Sequence, residues 1–161
     1  MDIIGVSVPR IDAIDKVTGR AAYVGDLEVS GMLHGKILRS PLPHALITGI
    51  DTSEALKLPG VTAVLTRGDL EGLDPFYGAV VRDRPFIATD KVRYQGEPVA
   101  AAVAVDLATA EEALDLIQVE YEELPVVSDT LAALSGTRET VHDTTLCRES
   151  GYEWGDVADA F

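Results

Sequence analysis

Seven apolar residues stand in a row from Val99 to Val105, V-A-A-A-V-A-V. Side chains of a strand point alternately to opposite faces, so a strand with one wet face alternates apolar and polar residues. This run has no polar face, which predicts a strand in the middle of a sheet covered on both sides. On that reading an aspartate at Val103 buries an unpaired charge and unfolds the chain.

The neighbouring segments supply the rest of such a sheet and its cover. Ala110, Ala113, Leu114 and Ile117 recur at i, i+3, i+4 and i+7, the spacing of one helix face, with Thr109 and Glu112 as a capping box and Glu111, Glu112 and Asp115 toward water. Gln118 to Glu122 alternates as a strand with Val119 and Tyr121 on one side. Upstream, Leu33 to Leu38 is an imperfect strand pattern in which either face can be the buried one, and Ser40-Pro41-Leu42-Pro43 interrupts it because proline lacks the ladder donor. Ala45 to Ile50 reads as a second strand. Asp51 and Glu54 can then cap a short helix, Asp51 accepting from first-turn amides and Glu54 reaching back, and Pro59-Gly60 ends it. Val61 to Thr66 is the next strand.

Arg67 to Pro85 holds no sustained period and reads as a long surface connection, a feature often functional or interfacial. Lys91 to Tyr94 is a short strand, and Gln95-Gly96-Glu97-Pro98 a turn in which Gly96 can take positive φ. The closely spaced glycines of the first thirty residues predict an extended arm with short strands. Ser128 starts a short helix over Asp129 to Leu134, which Gly136 stops. From Thr137 the chain is polar and weakly patterned, and it closes on a helix start capped by Asp156 that one turn cannot sustain, so further chain is expected to follow. The expected architecture is α+β: a mixed sheet with two or three short helices over residues 1–136, then a tail and the beginning of a linker over 137–161.

Composition narrows the function. The 161 residues carry a net charge of -14, which repels phosphate backbones, and no basic stripe interleaved with aromatics is present, so nucleic-acid binding is not expected. The acids crowd the last third, consistent with a solvated surface. The one basic cluster, Arg82, Arg84, Lys91 and Arg93, is interleaved with Asp83 and Asp90 and reads as mixed rather than anion-binding. No apolar stretch approaches bilayer-spanning length and no signal-peptide pattern opens the chain. With the single Cys147 unable to close an intrachain disulfide, a cytoplasmic protein is expected.

A reactive constellation is harder to assemble. His34, His44 and His142 lie at no zinc spacing from a cysteine or one another. Ser40 with His44 lacks the sharp elbow of a serine nucleophile, so Arg39 and His44 are better read as donors anchoring a proline-stiffened loop. Cys147 has only Arg148 as a cationic neighbour to activate it. Glu120 and Glu122 belong to the outward face of a strand, with Glu123 beside them, and no glycine pattern cradles phosphate. No catalytic, cofactor-binding or metal residue is assigned.

Several ordered segments are nevertheless specific. Arg10-x-Asp12, Lys16-Val17-Thr18-Gly19-Arg20-Ala21-x-Tyr23, Leu38-Arg39-Ser40-Pro41-x-Pro43-His44-Ala45-x-Ile47, Leu58-Pro59-Gly60-Val61, Val92-Arg93-Tyr94-x-Gly96-Glu97-Pro98-Val99-Ala100 and Val119-x-Tyr121-Glu122-x-Leu124-Pro125 together resemble the start of the molybdenum-binding large subunit of xanthine dehydrogenases and aldehyde oxidases. The bacterial 4-hydroxybenzoyl-CoA reductases, purine hydroxylases and carbon monoxide dehydrogenases are the similar members. The resemblance implies an α/β hammerhead domain preceding the molybdopterin-binding domains of an oxidoreductase, with iron-sulfur clusters and FAD on other domains or subunits. It implies that the cofactor-contacting and catalytic residues lie downstream, so this chain is expected to be structural, docking to those domains and subunits, and inactive alone. The loops holding Arg39, Ser40, Pro41, Pro43 and His44 and holding Gln95, Gly96, Glu97 and Pro98 are the expected contact surfaces, since stiff turns lose little entropy on docking. The alternative is a free-standing small-ligand or regulatory module on the same fold, which requires an apolar pocket with a few convergent polar groups. An independent hydrolase lacks a nucleophile.

Overall fold

The computed structural model describes residues 4–79, 81–135, 140–142 and 154–156. The chain divides into two units, residues 1–32 and residues 33–161.

In the first unit a short helix, α1 (Ala13–Val17), and a 3-10 turn at Val24–Asp26 stand where short strands were expected. Local bonds explain the difference. Lys16 pairs with Asp12 one turn back at 2.6 Å, and the Thr18 hydroxyl donates to the Ile14 carbonyl at 2.6 Å, so the backbone finds its partners within the segment. No described side chain of this unit is buried.

The second unit is α+β. Its strands are β1 (His34–Arg39), β2 (Ala45–Asp51), β3 (Val61–Leu65), β4 (Phe76–Tyr77), β5 (Arg84–Pro85), β6 (Lys91–Val92), β7 (Pro98–Ala104) and β8 (Gln118–Glu123). Its helices are α2 (Ser53–Lys57), α3 (Leu107–Asp115) and α4 (Thr130–Leu134). Two three-stranded sheets run β1-β7-β3 and β6-β2-β8, and every ladder described is antiparallel. The connection between Arg67 and Pro85 is not structureless: it holds a 3-10 turn at Arg67–Leu70 and the two-stranded ladder β4-β5.

The apolar run does form the central strand of its sheet, but its faces are unequal. Ala100, Ala102 and Ala104 are fully buried, whereas Ala101 and Val103 are only half-buried. The covered face lies against α2 and α3, whose Ala55 and Ala113 join Ala100, Ala102 and Ile117 in one cluster. Alanine on both sides of this contact lets the helices approach the sheet closely. On the other face the register sets Ile37 and Leu65 opposite Ala101, and Gly35 and Ala63 opposite Val103. Ile37 and Leu65 are exposed there. The expectation of cover on both sides is therefore corrected, and Val103 is not a fully buried site.

A second cluster, Ala45, Ile47, Ala88, Val92 and Val99, fills the β6-β2-β8 sheet. Ile50 and Val119, paired across β2 and β8, pack against both clusters and make the core continuous. Arg67 ties β2 to the segment before β6, its Nη1 donating to the Ile47 carbonyl at 2.9 Å and the Thr89 carbonyl at 3.1 Å.

Three caps differ from expectation, the last being that of α4, which Asp129 caps in place of Ser128. The α3 cap is Asp106, whose Oδ1 accepts from the Thr109 amide at 2.8 Å, rather than Thr109 itself. Asp51 accepts from the Ser53 amide at 2.9 Å as expected, but Glu54 pairs with Lys57 at 2.7 Å instead of reaching back. The short C-terminal helix begins from Asp129, which accepts from the Leu131 and Ala132 amides. Gly136, Cys147 and residues 157–161 lie outside the described residues.

Candidate functional site

The two loops singled out in the sequence meet at one corner of the second unit. Because β1 pairs with β7, the residues that follow Arg39 and those that precede Pro98 are brought together. Three bonds stitch them. The Ser40 amide donates to the Glu97 carbonyl at 2.9 Å, the Gly96 amide to the Ser40 carbonyl at 2.9 Å, and Arg39 Nη1 to the Gly96 carbonyl at 2.8 Å. Gly96 takes φ +91°, a conformation closed to most side chains, which the tight turn requires.

The corner separates into an inner and an outer part. Ser40, His44 and Glu97 are buried, while Arg39, Pro41, Pro43 and Gln95 are exposed and Gly96 and Pro98 half-buried. The Ser40 hydroxyl donates to the Leu42 carbonyl at 2.9 Å and accepts from the Leu42 amide at 3.0 Å. His44 Nδ1 donates to the Pro125 carbonyl at 2.7 Å, since a carbonyl oxygen can only accept. Ser40 and His44 thus spend these groups on the backbone, as an anchored loop requires.

Glu97 is the surprise. A glutamate between glycine and proline reads as a surface turn residue, yet its side chain is 2 % exposed and its Oε2 accepts from the Arg93 amide. Arg93 is nearly as deep. Its Nη2 donates to Asp90 at 3.0 Å, its Nη1 to the Lys91 carbonyl at 2.9 Å, and Glu97 lies 3.9 Å away. Burial alone raises the Asp90 carboxyl, but the Arg93 guanidinium and the Lys91 amide outweigh it and hold that group below the ordinary aspartate value. The only sequence signal for this pair is the four-residue spacing of Arg93 and Glu97, which turns and strands share too often to be diagnostic.

Beside the corner lies a cleft of about 400 Å³, lined by Tyr77, Asp83, Arg84, Arg93, Tyr94 and Glu97 among others. Burial pushes the Tyr94 phenol up and the nearby Glu97 carboxylate adds to it, with Arg39 and Arg84 opposing. Tyr77 stacks on Phe86 with ring centroids 5.1 Å apart. Two arginines, Arg84 and Arg93, and two carboxylates, Asp83 and Glu97, line this space. An anionic, phosphate-bearing cofactor such as molybdopterin meets Asp83 and Glu97 as well as the arginines, so the lining does not fit it. Nor is it the mainly apolar pocket that a small-ligand module calls for.

Elsewhere, Arg82 pairs with Asp74 at 3.0 Å, so the basic cluster is mixed in space as in sequence. Glu120, Glu122 and Glu123 are exposed on β8. Among the described residues no three His, Cys, Asp or Glu side chains group as metal ligands. No helix among them is long and apolar enough to cross a membrane.

Residues 18–125 match the family described as aldehyde oxidase and xanthine dehydrogenase, a/b hammerhead domain. A probable xanthine dehydrogenase subunit of Bacillus subtilis is 43% identical over 153 residues, which is 94% of this chain and 20% of that protein. The nicotinate dehydrogenase large molybdopterin subunit of Eubacterium barkeri is 35% identical over 160 residues, 99% of this chain and 37% of that protein. The crystal structure of quinoline 2-oxidoreductase from Pseudomonas putida 86 superposes with a TM-score of 0.81 at 42% identity, covering 90% of this chain and 19% of that one. The chain therefore spans about a fifth to somewhat over a third of the length of these relatives. The stitched corner, the two antiparallel sheets and the matched sequence belong together: the chain is a member of the aldehyde oxidase and xanthine dehydrogenase family and carries its a/b hammerhead domain.

Proposed function

We propose that this chain is the non-catalytic, N-terminal structural and docking domain of a molybdenum hydroxylase large subunit. Residues 1–136 form the domain, and residues 137–161 are a tail opening the linker toward molybdopterin-binding domains. The observation that carries this reading is that the likeness runs over nearly the whole of this chain but only a fifth of a xanthine dehydrogenase subunit. Iron-sulfur and FAD subunits are the further partners, and molybdopterin the cofactor, of the assembled enzyme. The lone Cys147 suits a cytoplasmic setting.

The outer part of the corner, Arg39, Pro41, Pro43 and Gln95, is the contact surface, backed by the buried Ser40, His44 and Glu97 that hold it in shape. The exposed apolar pair Ile37 and Leu65 on the open face of the β1-β7-β3 sheet supports a role in docking as well. Purified alone, the chain is expected to show no molybdenum by elemental analysis and no dehydrogenase turnover; stoichiometric metal or measurable turnover would overturn the reading. In the assembled enzyme, Pro41→Glu with Gln95→Glu should weaken the contact while leaving the isolated chain folded, and unchanged assembly would remove the corner from consideration.

A further inference from the structure

The cleft beside the corner holds a carboxylate whose bonding is incomplete. Glu97 is 2 % exposed, and a carboxylate taken out of water needs partners for both of its oxygens, because an unmet one costs its lost hydration. Oε2 accepts from the Arg93 amide, whereas Oε1 has no hydrogen bond among the described residues. The nearest cation is Arg93 Nη1, 3.9 Å away, and it is spent on the Lys91 carbonyl at 2.9 Å, as Nη2 is on Asp90 at 3.0 Å. Arg93 Nε also lacks a partner, but it is fully buried and out of a ligand's reach. Glu97 lines the cleft, so a donor entering there meets an unsatisfied acceptor. Asp83 adds a second carboxylate to the lining, and Tyr77 and Tyr94, each about half exposed, add aromatic surface. The Tyr77 ring is held in place by its stacking on Phe86.

We propose that this cleft binds the guanidinium of an arginine side chain carried by a partner polypeptide. A guanidinium donates to the unpaired Glu97 Oε1 in a charge-assisted bond, and its planar cation is attracted to tyrosine rings. An ammonium, compact and strongly hydrated, gains less from both contacts. Arg84 is the opposing charge on the lining, but it is exposed, and a long side chain there turns its charged head into water at little cost. The net charge of -14 draws a basic surface toward the chain and repels an acidic one. The source of the side chain rests on the docking reading above; the site itself does not.

Titrating the isotope-labelled 161-residue chain with N-acetyl-arginine amide, whose ends are peptide-like, tests this through amide chemical shifts. The Arg84, Tyr94 and Glu97 amides should move saturably, and the capped citrulline analogue, neutral and close in shape, should bind roughly tenfold or more weakly. Glu97→Gln, which keeps an acceptor for the Arg93 amide, should weaken arginine binding by roughly tenfold. Asp83→Asn should weaken it as well and carries the test should Glu97→Gln fail to fold, while Arg84→Gln should strengthen it. The absence of a saturable shift, equal binding of the citrulline analogue, or parental affinity in Asp83→Asn or in folded Glu97→Gln overturns the proposal. Weaker binding by Arg84→Gln does so too, since it marks a site that favours anions. Tighter binding of free L-arginine than of the capped form overturns the polypeptide source and assigns the site to a free amino acid. None of these results bears on the corner, which is judged by assembly of the Pro41→Glu with Gln95→Glu variant.

Discussion

Replacing Ala102 by leucine examines the two-faced character of β7, the feature on which the packing of this domain turns. Ala102 is fully buried, and Lys36 and Val64 are its neighbours across the sheet. Ala55, Ala100, Ala113 and Ile117 complete its cluster. Leucine brings three more carbons. With room to spare their burial would stabilise by about 2 kcal/mol, at about 0.8 kcal/mol per methylene. The site is walled by helix alanines that are themselves fully buried, so the added atoms must push α2 or α3 off the sheet, and overpacking of this kind costs about 1–3 kcal/mol. Ala101 is the control, since it is half-buried, opposite the exposed Ile37 and Leu65. Leucine there extends over an open face, and its effect should stay within about 0.5 kcal/mol. Urea unfolding followed by circular dichroism separates the two. With a slope of about 1–3 kcal/mol per molar for a domain of this size, Ala102→Leu should lower the midpoint by roughly 1 M. A midpoint for Ala102→Leu equal to that of the parent chain, or an equal fall for Ala101→Leu, refutes the assignment of faces. The same logic revises the expectation for Val103→Asp, which should weaken the domain less than Ala102→Asp does, because Val103 lies on the open side.

Two further outcomes follow from particular residues. Gly96 and Gly60 both take positive φ, +91° and +95°, so alanine at either should cost about 1–2 kcal/mol in backbone strain; a Cβ at Gly60 also comes within 3.0 Å of Val105 Cγ2 and 3.3 Å of Thr109 Cγ2, so thermal melts should place Gly60→Ala below Gly96→Ala. The Thr109 amide holds the Asp106 carboxyl below its ordinary value of 3.8, which means that the folded chain favours the charged form. That contribution is present above the unfolded value and is lost as pH falls through the lower folded value. Stability measured by urea titration should therefore decline as pH drops below about 4. Asp106→Asn, which caps without titrating, should flatten part of that decline, and an unchanged slope would exclude Asp106 as a contributor.

Much of the second unit was legible in sequence because its signals are local. The strands at Ala45–Asp51, Val61–Leu65 and Gln118–Glu123 follow from alternation and β-branching, and α3 from its periodic alanines and leucines. The stiffened loop after Arg39 and the positive φ of Gly96 follow from proline and glycine chemistry. The family itself was legible in ordered segments spread over many residues. What was missed depends on the path the backbone takes in three dimensions. Asp106 rather than Thr109 caps α3, a choice decided by where the strand before it ends. Glu97 is buried with its carboxylate accepting from the Arg93 amide, and no single-position property of a glutamate between glycine and proline announces that.

Sequence alone thus determined the longer strands and the main helix of the second unit and the stiff turns that join them, since periodicity, capping and fixed φ act over a few neighbouring residues. Only the tertiary structure decided which face of β7 is covered, which carboxylate goes inside, and that residues 39–44 and 95–98 form one corner. The covered face and the corner come from packing and pairing between segments distant in sequence, where ladder register and the small volume of alanine select partners that no local pattern specifies.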